Sequence, residues 1–337
     1  MEIDLHITNH CNLKCKHCVY TSGEWEMPDM TFETIEKLVL SFKNMGVEEV
    51  HITGGEPLLN KDFFKIAKYL NENGFGTRVQ TNGMLITKEI ATKLKECGIE
   101  YVLISIDGLE QSHNSFRNNE NSFKKAIEAV KICIDAGIYT RVNTVINKSN
   151  IQDLPQLIKE INKLKPNQHS FFYLTPIGRG KNIKELVLSL EEWKEIEEMV
   201  RKAGIDNNCI DNIKLQNVIK NKNENLTCRN DNCLILANGD VYHCVFYIYS
   251  PYKLGNIYEE DLDKLWSKNI DRILDITTNN KSLNKECNKA SGGCKCKCSG
   301  LAYAFTGSVD ACDPRCKPGK ELIPSCIRTY IDMNRRI

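Results

Sequence analysis

Neither sign of charge prevails in this chain: 45 Lys and Arg against 44 Asp and Glu leave a formal net charge of +1. No global positive field is available to hold a phosphate backbone through counterion release, so nucleic acid is not expected as the main partner. No apolar run approaches the roughly 18 residues a membrane helix needs, so no membrane partner is expected. The start, Met1 to His6, has no positive n-region, apolar h-region or small-residue cleavage site, so a cytoplasmic location is expected. Long internal repeats and low-complexity tails are absent as well. What remains, 41% hydrophobic and 26% charged over 337 residues, is an ordinary globular composition with room for roughly two domains.

Sixteen cysteines depart from that composition. Six lie in the first 227 residues and ten in the last 110, which divides the chain near Thr227 into two chemically different regions. In a reducing compartment, cysteines at this density read as metal ligands rather than disulfides, and thiolates select zinc or iron-sulfur clusters. Cys97 and Cys133, each closing a helical pattern, read instead as small buried hydrophobes, and Cys209 is treated alike.

From Glu2 to about Ala203, short β-rich runs alternate with helical patterns, the signature of βα units feeding a parallel sheet. Strands are expected at 3–8, 49–53, 76–80, 101–106, 139–146 and 170–174, with helices at 31–44, 62–73, 87–97, 122–136, 151–164 and 189–203. Six units imply an α/β fold, a partial (β/α)6 TIM-like barrel. Periodicity alone does not separate that barrel from an open doubly wound sheet. The expected domains are a core over 1–205, a polar connector over 206–227, a cysteine-rich, loop-rich iron-sulfur domain over 228–326, and a helical tail over 327–337.

Directly after the first strand come Cys11, Cys15 and Cys18, with gaps of three and two residues. A loop of this length can wrap three thiolates around three corners of a 4Fe-4S cubane, leaving one iron open for chemistry. A zinc loop completed by His10 or His17 is the alternative. The spacing and placement resemble the radical S-adenosylmethionine (SAM) superfamily. Further features fall at the C-terminal ends of strands, where parallel barrels gather their sites. Gly54, Gly55, Glu56 and Pro57 resemble the family motif that holds the methionyl amino group of SAM, although a tight turn reads the same way. Ser105 and Asp107 resemble a motif near the ribose or carboxylate. By the same resemblance Asn143 and Arg179 would contact SAM, with structural roles as the alternative, and Tyr20 would offer its backbone to the adenine. What the resemblance implies is reductive cleavage of SAM to a 5′-deoxyadenosyl radical that abstracts hydrogen from an unactivated carbon.

The cysteines beyond Thr227 are similar to the SPASM extension of such enzymes, which carries two auxiliary 4Fe-4S clusters. By position, Cys228, Cys233, Cys244 and Cys298 would bind the first, and Cys287, Cys294 and Cys316 the second. Asn284 stands where the family has a further cysteine, so the fourth ligand of the second cluster is unassigned, with Cys312 and Cys296 nearest. Cys326 is left over. One or two structural zincs are the alternative for the whole region.

The SPASM resemblance implies a ribosomally made peptide or protein as substrate, modified by crosslinking or oxidation, and a flavodoxin or ferredoxin as reductant. Because the first strand begins at Glu2, a peptide substrate is expected to need a separate leader-peptide recognition protein or direct recognition. The alternatives are the same chemistry on a small metabolite such as a tetrapyrrole, or a non-catalytic electron-transfer protein, against which the Gly54 to Pro57 motif argues. The sequence names no catalytic acid, base or hydrogen donor.

Overall fold

A computed structural model describes residues 1–206, 213–215, 232–278, 298–309, 311 and 329–332. Six parallel strands stand side by side in chain order: β1 (Glu2–His6), β2 (Glu49–Thr53), β3 (Gly76–Thr81), β4 (Ile99–Ser105), β5 (Tyr139–Ile146) and β6 (Gln168–Tyr173). Between and after them run α1 (Phe32–Asn44), α2 (Phe63–Glu72), α3 (Lys88–Glu96), α4 (Glu110–Arg117), α5 (Ser122–Asp135), α6 (Leu154–Leu164) and α7 (Leu190–Asp206). Local chemistry sets where two of them start. Thr31 caps α1 by accepting from the Thr34 amide at 3.3 Å, and Thr87 caps α3 by accepting from the Ile90 amide at 3.2 Å.

The distribution of apolar side chains decides between barrel and doubly wound sheet. Ile3 and Leu5 of β1, Val50 and Ile52 of β2, Val79 of β3, Val102 and Ile104 of β4, Val142 of β5 and Phe171 of β6 belong to one buried cluster with the inner faces of α1, α2, α3, α5, α6 and α7. Their neighbours in the alternation are polar: Glu2, Asp4 and His6 on β1, Glu49 and His51 on β2, Arg78 on β3, Arg141 and Asn143 on β5. A doubly wound sheet buries both faces under helices and reads as continuous apolar runs. Helices on one face and a polar opposite face give the partial barrel, whose polar side is the lumen.

The sheet does not stop with the barrel. Beyond β6 it continues through β11 (Thr329–Asp332) to β7 (Ile213–Leu215), both antiparallel to their neighbours. Beyond β1 it continues through β8 (Asn232–Ile235), parallel to β1, then β9 (Asp240–Tyr242) and β10 (Gly255–Asn256), for 11 strands among the described residues. Two expectations change. The connector contains β7, and the tail expected to be helical contains β11, whose Thr329, Tyr330 and Ile331 are β-formers that pair with β6. The remaining described α-helices are α8 (Leu262–Thr278), which packs its Leu262, Leu265, Trp266 and Ile273 into the barrel's apolar cluster, and α9 (Ser299–Thr306). Among the described residues no helix is long and apolar enough to cross a membrane.

Candidate active site

The loop after β1 carries Cys11, Cys15 and Cys18, and the ends of three other βα units hold it in place. From β2, the Gly55 amide donates to Thr8 O at 2.7 Å and the Glu56 amide to His10 O at 2.8 Å. The approach is close enough that a Cβ on Gly55 would stand 2.3 Å from His10 O. Glycine here admits the cysteine loop itself, not only a ligand. From α4, Phe116 O accepts from the Lys16 amide at 2.9 Å, and the Phe116 ring stacks on His17 at 4.2 Å between centroids. From the segment after β6, the Arg179 amide donates to Cys18 O at 2.9 Å while its Nε donates to Cys15 O at 2.7 Å. Its remaining fork reaches Ser22 O and Glu24, each at 3.0 Å. Gly178, at φ +53°, makes this approach possible, since a Cβ there would sit 2.3 Å from Val19 O.

The donor set fits an iron-sulfur cluster. Three thiols share one short loop, and two donors already point at the Cys11 sulfur, the Leu13 amide at 3.4 Å and Asn82 Nδ2 at 3.9 Å, while Cys18 Sγ donates to Ser22 Oγ at 3.6 Å. Hydrogen bonds of this kind help set a cluster's potential. Burial pushes the Cys11 thiol up to about 12 and the Cys15 thiol up to about 11, so metal binding must displace their protons. The histidines of the zinc alternative are directed elsewhere. His10 lies 4.0 Å from Asp29, and His17 Nε2 lies 3.7 Å from Asp107.

Two of the residues proposed to contact SAM keep polar groups toward the lumen. Ser105 and Asn143 pair in register across β4 and β5, and Asn143 Oδ1 is buried without a hydrogen-bond partner. Such an atom fits a ligand donor. The other side chains are already spent on the chain. Glu56, fully buried, accepts from Thr81 Oγ1 at 2.8 Å, the Asn82 amide at 2.9 Å and the Leu58 amide at 3.3 Å, fastening the β2 turn to the end of β3. Burial pushes its carboxyl up to about 7 against these donors. Asp107 accepts from the Val145 amide at 2.9 Å and takes Arg117 through Nε and a terminal nitrogen, both at 2.8 Å. Burial raises its carboxyl, but Arg117, then His17 and His113, overcome this and hold it below the ordinary range. Asp107 is therefore the anchor of α4 under the cysteine loop, not a free SAM contact. Arg179 likewise clamps the loop, and Tyr20 O already accepts from Tyr249 Oη at 2.9 Å while its ring lies against His6 at 4.4 Å.

In the C-terminal region, Cys228, Cys287, Cys294, Cys296, Cys312, Cys316 and Cys326 lie outside the described residues, as does Cys209. Cys244 and Cys298 immediately precede two packed elements, the short turn Val245–Tyr247 and α9, which are tied by Tyr247 Oη to Ser299 Oγ at 2.8 Å. Cys233 corrects an expectation. On β8 it points with Ile235 into the apolar layer under the helices, whereas Leu234, Tyr242 and Cys244 pack on the opposite face. Strand alternation removes it from the face that carries Cys244.

Arg117 and Asn82 belong to no motif legible in the sequence. Asn82 follows the end of β3, the position at which the other site residues occur, so the strand-end rule applies to it equally.

Comparison with known proteins fits this arrangement. The family profile of the Radical SAM superfamily matches residues 5–161, and that of the SPASM iron-sulfur cluster-binding domain matches residues 227–298. The chain is 29% identical to the Fe-coproporphyrin III synthase of Methanosarcina barkeri, over 94% of this chain and 88% of that one. It is 25% identical to the AdoMet-dependent heme synthase of Nitratidesulfovibrio vulgaris, over 92% and 90%. Among solved structures, SuiB of Streptococcus suis bound to SAM superposes with a TM-score of 0.71 at 18% identity, covering 94% of this chain and 77% of SuiB.

Proposed function

The chain belongs to the radical SAM superfamily and carries a SPASM domain, and we propose that the carbon its radical attacks belongs to an iron tetrapyrrole. Bound at the Cys11, Cys15 and Cys18 loop, a 4Fe-4S cluster and SAM supply one-electron cleavage and a hydrogen-abstracting radical. The chain's own part is to hold that loop from β2, α4 and the segment after β6, and to present Ser105 and Asn143 to SAM. The SPASM domain implies auxiliary iron-sulfur clusters, with Cys244 and Cys298 as proposed ligands beside Cys228. A flavodoxin or ferredoxin is the proposed reductant.

One observation carries the choice of substrate: three relatives matched over more than nine-tenths of this chain are named for coproporphyrin and heme. The peptide substrate expected from the SPASM resemblance has weaker support, because the likeness to SuiB at 18% identity speaks for the fold alone. The deciding experiment incubates anaerobically reconstituted enzyme with SAM, dithionite and either Fe-coproporphyrin III or no substrate. Porphyrin-dependent 5′-deoxyadenosine with a mass change in the porphyrin is the expected result. An unaltered porphyrin, with 5′-deoxyadenosine at the substrate-free rate, overturns Fe-coproporphyrin III as the substrate, and failure to bind that compound as substrate or product overturns the tetrapyrrole reading.

A further inference from the structure

Almost every charge around the lumen is answered within the chain. Arg78 on β3 bridges Glu2 at 3.0 Å and Glu49 at 2.6 Å and donates to Tyr101 Oη. His51 Nδ1 and Asp4 meet at 2.9 Å. Asp107 has Arg117, and Arg179 has Glu24.

Arg141 is the exception. It has no acidic partner among the described residues, and its Nε is buried with no hydrogen-bond partner. Its place is nevertheless well defined. The guanidinium carbon stands 4.6 Å from the centre of the Tyr101 ring and 6.0 Å from that of Tyr139. An arginine stacked in this way keeps its planar fork of N–H groups for an in-plane, bidentate acceptor. A buried unpaired N–H is costly, which is why folded chains rarely keep one without use.

The position of that fork matters. Arg141 shares the lumen face of β5 with Asn143 and lies two residues before it, about 7 Å lower at ordinary strand rise. Its neighbours in register are Leu103 on β4 and Gln168 on β6. Tyr139, at the start of β5, is 41% exposed, so solvent reaches the lower end of this wall.

We propose that Arg141 anchors a carboxylate of the substrate, one layer below the SAM site. The inference rests on the tetrapyrrole reading, under which the acceptor is a carboxylate side chain of the porphyrin. The fork fixes one edge of the macrocycle, and the face of β5 leads from that edge up to Asn143. Arg141 is a positioning and specificity residue; it moves no proton and touches no reacting atom.

The test is binding, measured by absorbance titration of the SAM-loaded holoenzyme without reductant. Fe-coproporphyrin III is the probe, and the same compound with its carboxylates esterified is the control. Arg141→Gln is expected to raise the dissociation constant for the free acid about ten- to a hundredfold. Arg141→Lys, which keeps the charge and loses the fork, falls between. The ester binds wild type more weakly than the acid and is insensitive to either substitution. Equal binding of the acid by wild type and both variants overturns the inference and leaves the tetrapyrrole reading standing. A wild-type protein that binds neither probe overturns both together.

Discussion

Two cysteine sites in one chain are built by different means. The loop of Cys11, Cys15 and Cys18 owes its shape to hydrogen bonds arriving from elements distant in sequence: β2 through Gly55 and Glu56, α4 through Phe116, and the segment after β6 through Arg179. The proposed site of Cys244 and Cys298 rests on aromatic packing, with Tyr247, Tyr252 and Tyr303 in mutual ring contact beside the two short elements that follow these cysteines. A loop fixed by backbone hydrogen bonds from a finished barrel exists only when the barrel does. Packing among neighbouring rings is looser in geometry and more tolerant of replacement. The first site is thus as cooperative as the fold, whereas the second adds ring packing to a region that joins the barrel through β8 and through Tyr249 on Tyr20.

The sharpest test of that contrast removes the first site alone. Replacing Cys11, Cys15 and Cys18 together by Ala is expected to take iron from about twelve to about eight per chain and to abolish SAM cleavage, read by iron and sulfide analysis and 5′-deoxyadenosine assay. Loss of all iron would show that the two sites are not independent. Next in size, Asp107→Ala strands the buried Arg117 guanidinium and is expected to cost about 3–5 kcal/mol, measured by unfolding in urea. Unchanged stability there would refute the clamp. In the second region, Cys244→Ala is expected to lower iron by up to about four per chain. Cys233→Ala should leave iron intact and cost about 1 kcal/mol of packing. Equal iron loss in both would restore Cys233 as a ligand.

The smallest expected effect is a pH dependence confined to the barrel. Burial lowers the imidazoles of His6, His113 and His169 to about 3. In the unfolded chain they take up protons below about pH 6.5, so their contribution is whole above that pH and is lost as pH falls beneath it. Unfolding midpoints measured between pH 7 and 5 should decline, and His169→Gln should reduce the slope by about one proton's worth.

How much of this the sequence discloses depends on what kind of signal carries it. β2 and β5 lie where alternation puts them, and the other barrel strands are displaced at their ends by one or two residues, because an apolar face against helices writes itself into the pattern. α4 leaves no such trace: Glu110 to Arg117 contains one strongly apolar residue, Phe116, and the helix forms because Phe116, His113 and Arg117 are buried under the cysteine loop. The element without a pattern is the one that touches the site. The spacing of Cys11, Cys15 and Cys18 is legible as a cluster loop, but the partners of Glu56, Asp107 and Arg179 are not, since each bonds to residues brought near only by folding. Counting cysteines misplaces Cys233. The run Cys233 to Leu236 reads as a strand buried on both faces, and there a cysteine is a packing residue.

The junction of β8 with β1 also bears on what happens when the chain is cut. An isolated barrel ending at residue 206 would leave β1 on one flank and β6 on the other with rows of unanswered N–H and C=O groups, because β8 and β11 now occupy those positions. Raw strand edges of this kind recruit other chains. The C-terminal region therefore serves as a cover against self-association as well as a holder of metal, and a chain trimmed to the core should precipitate or form open-ended polymers rather than a smaller soluble enzyme.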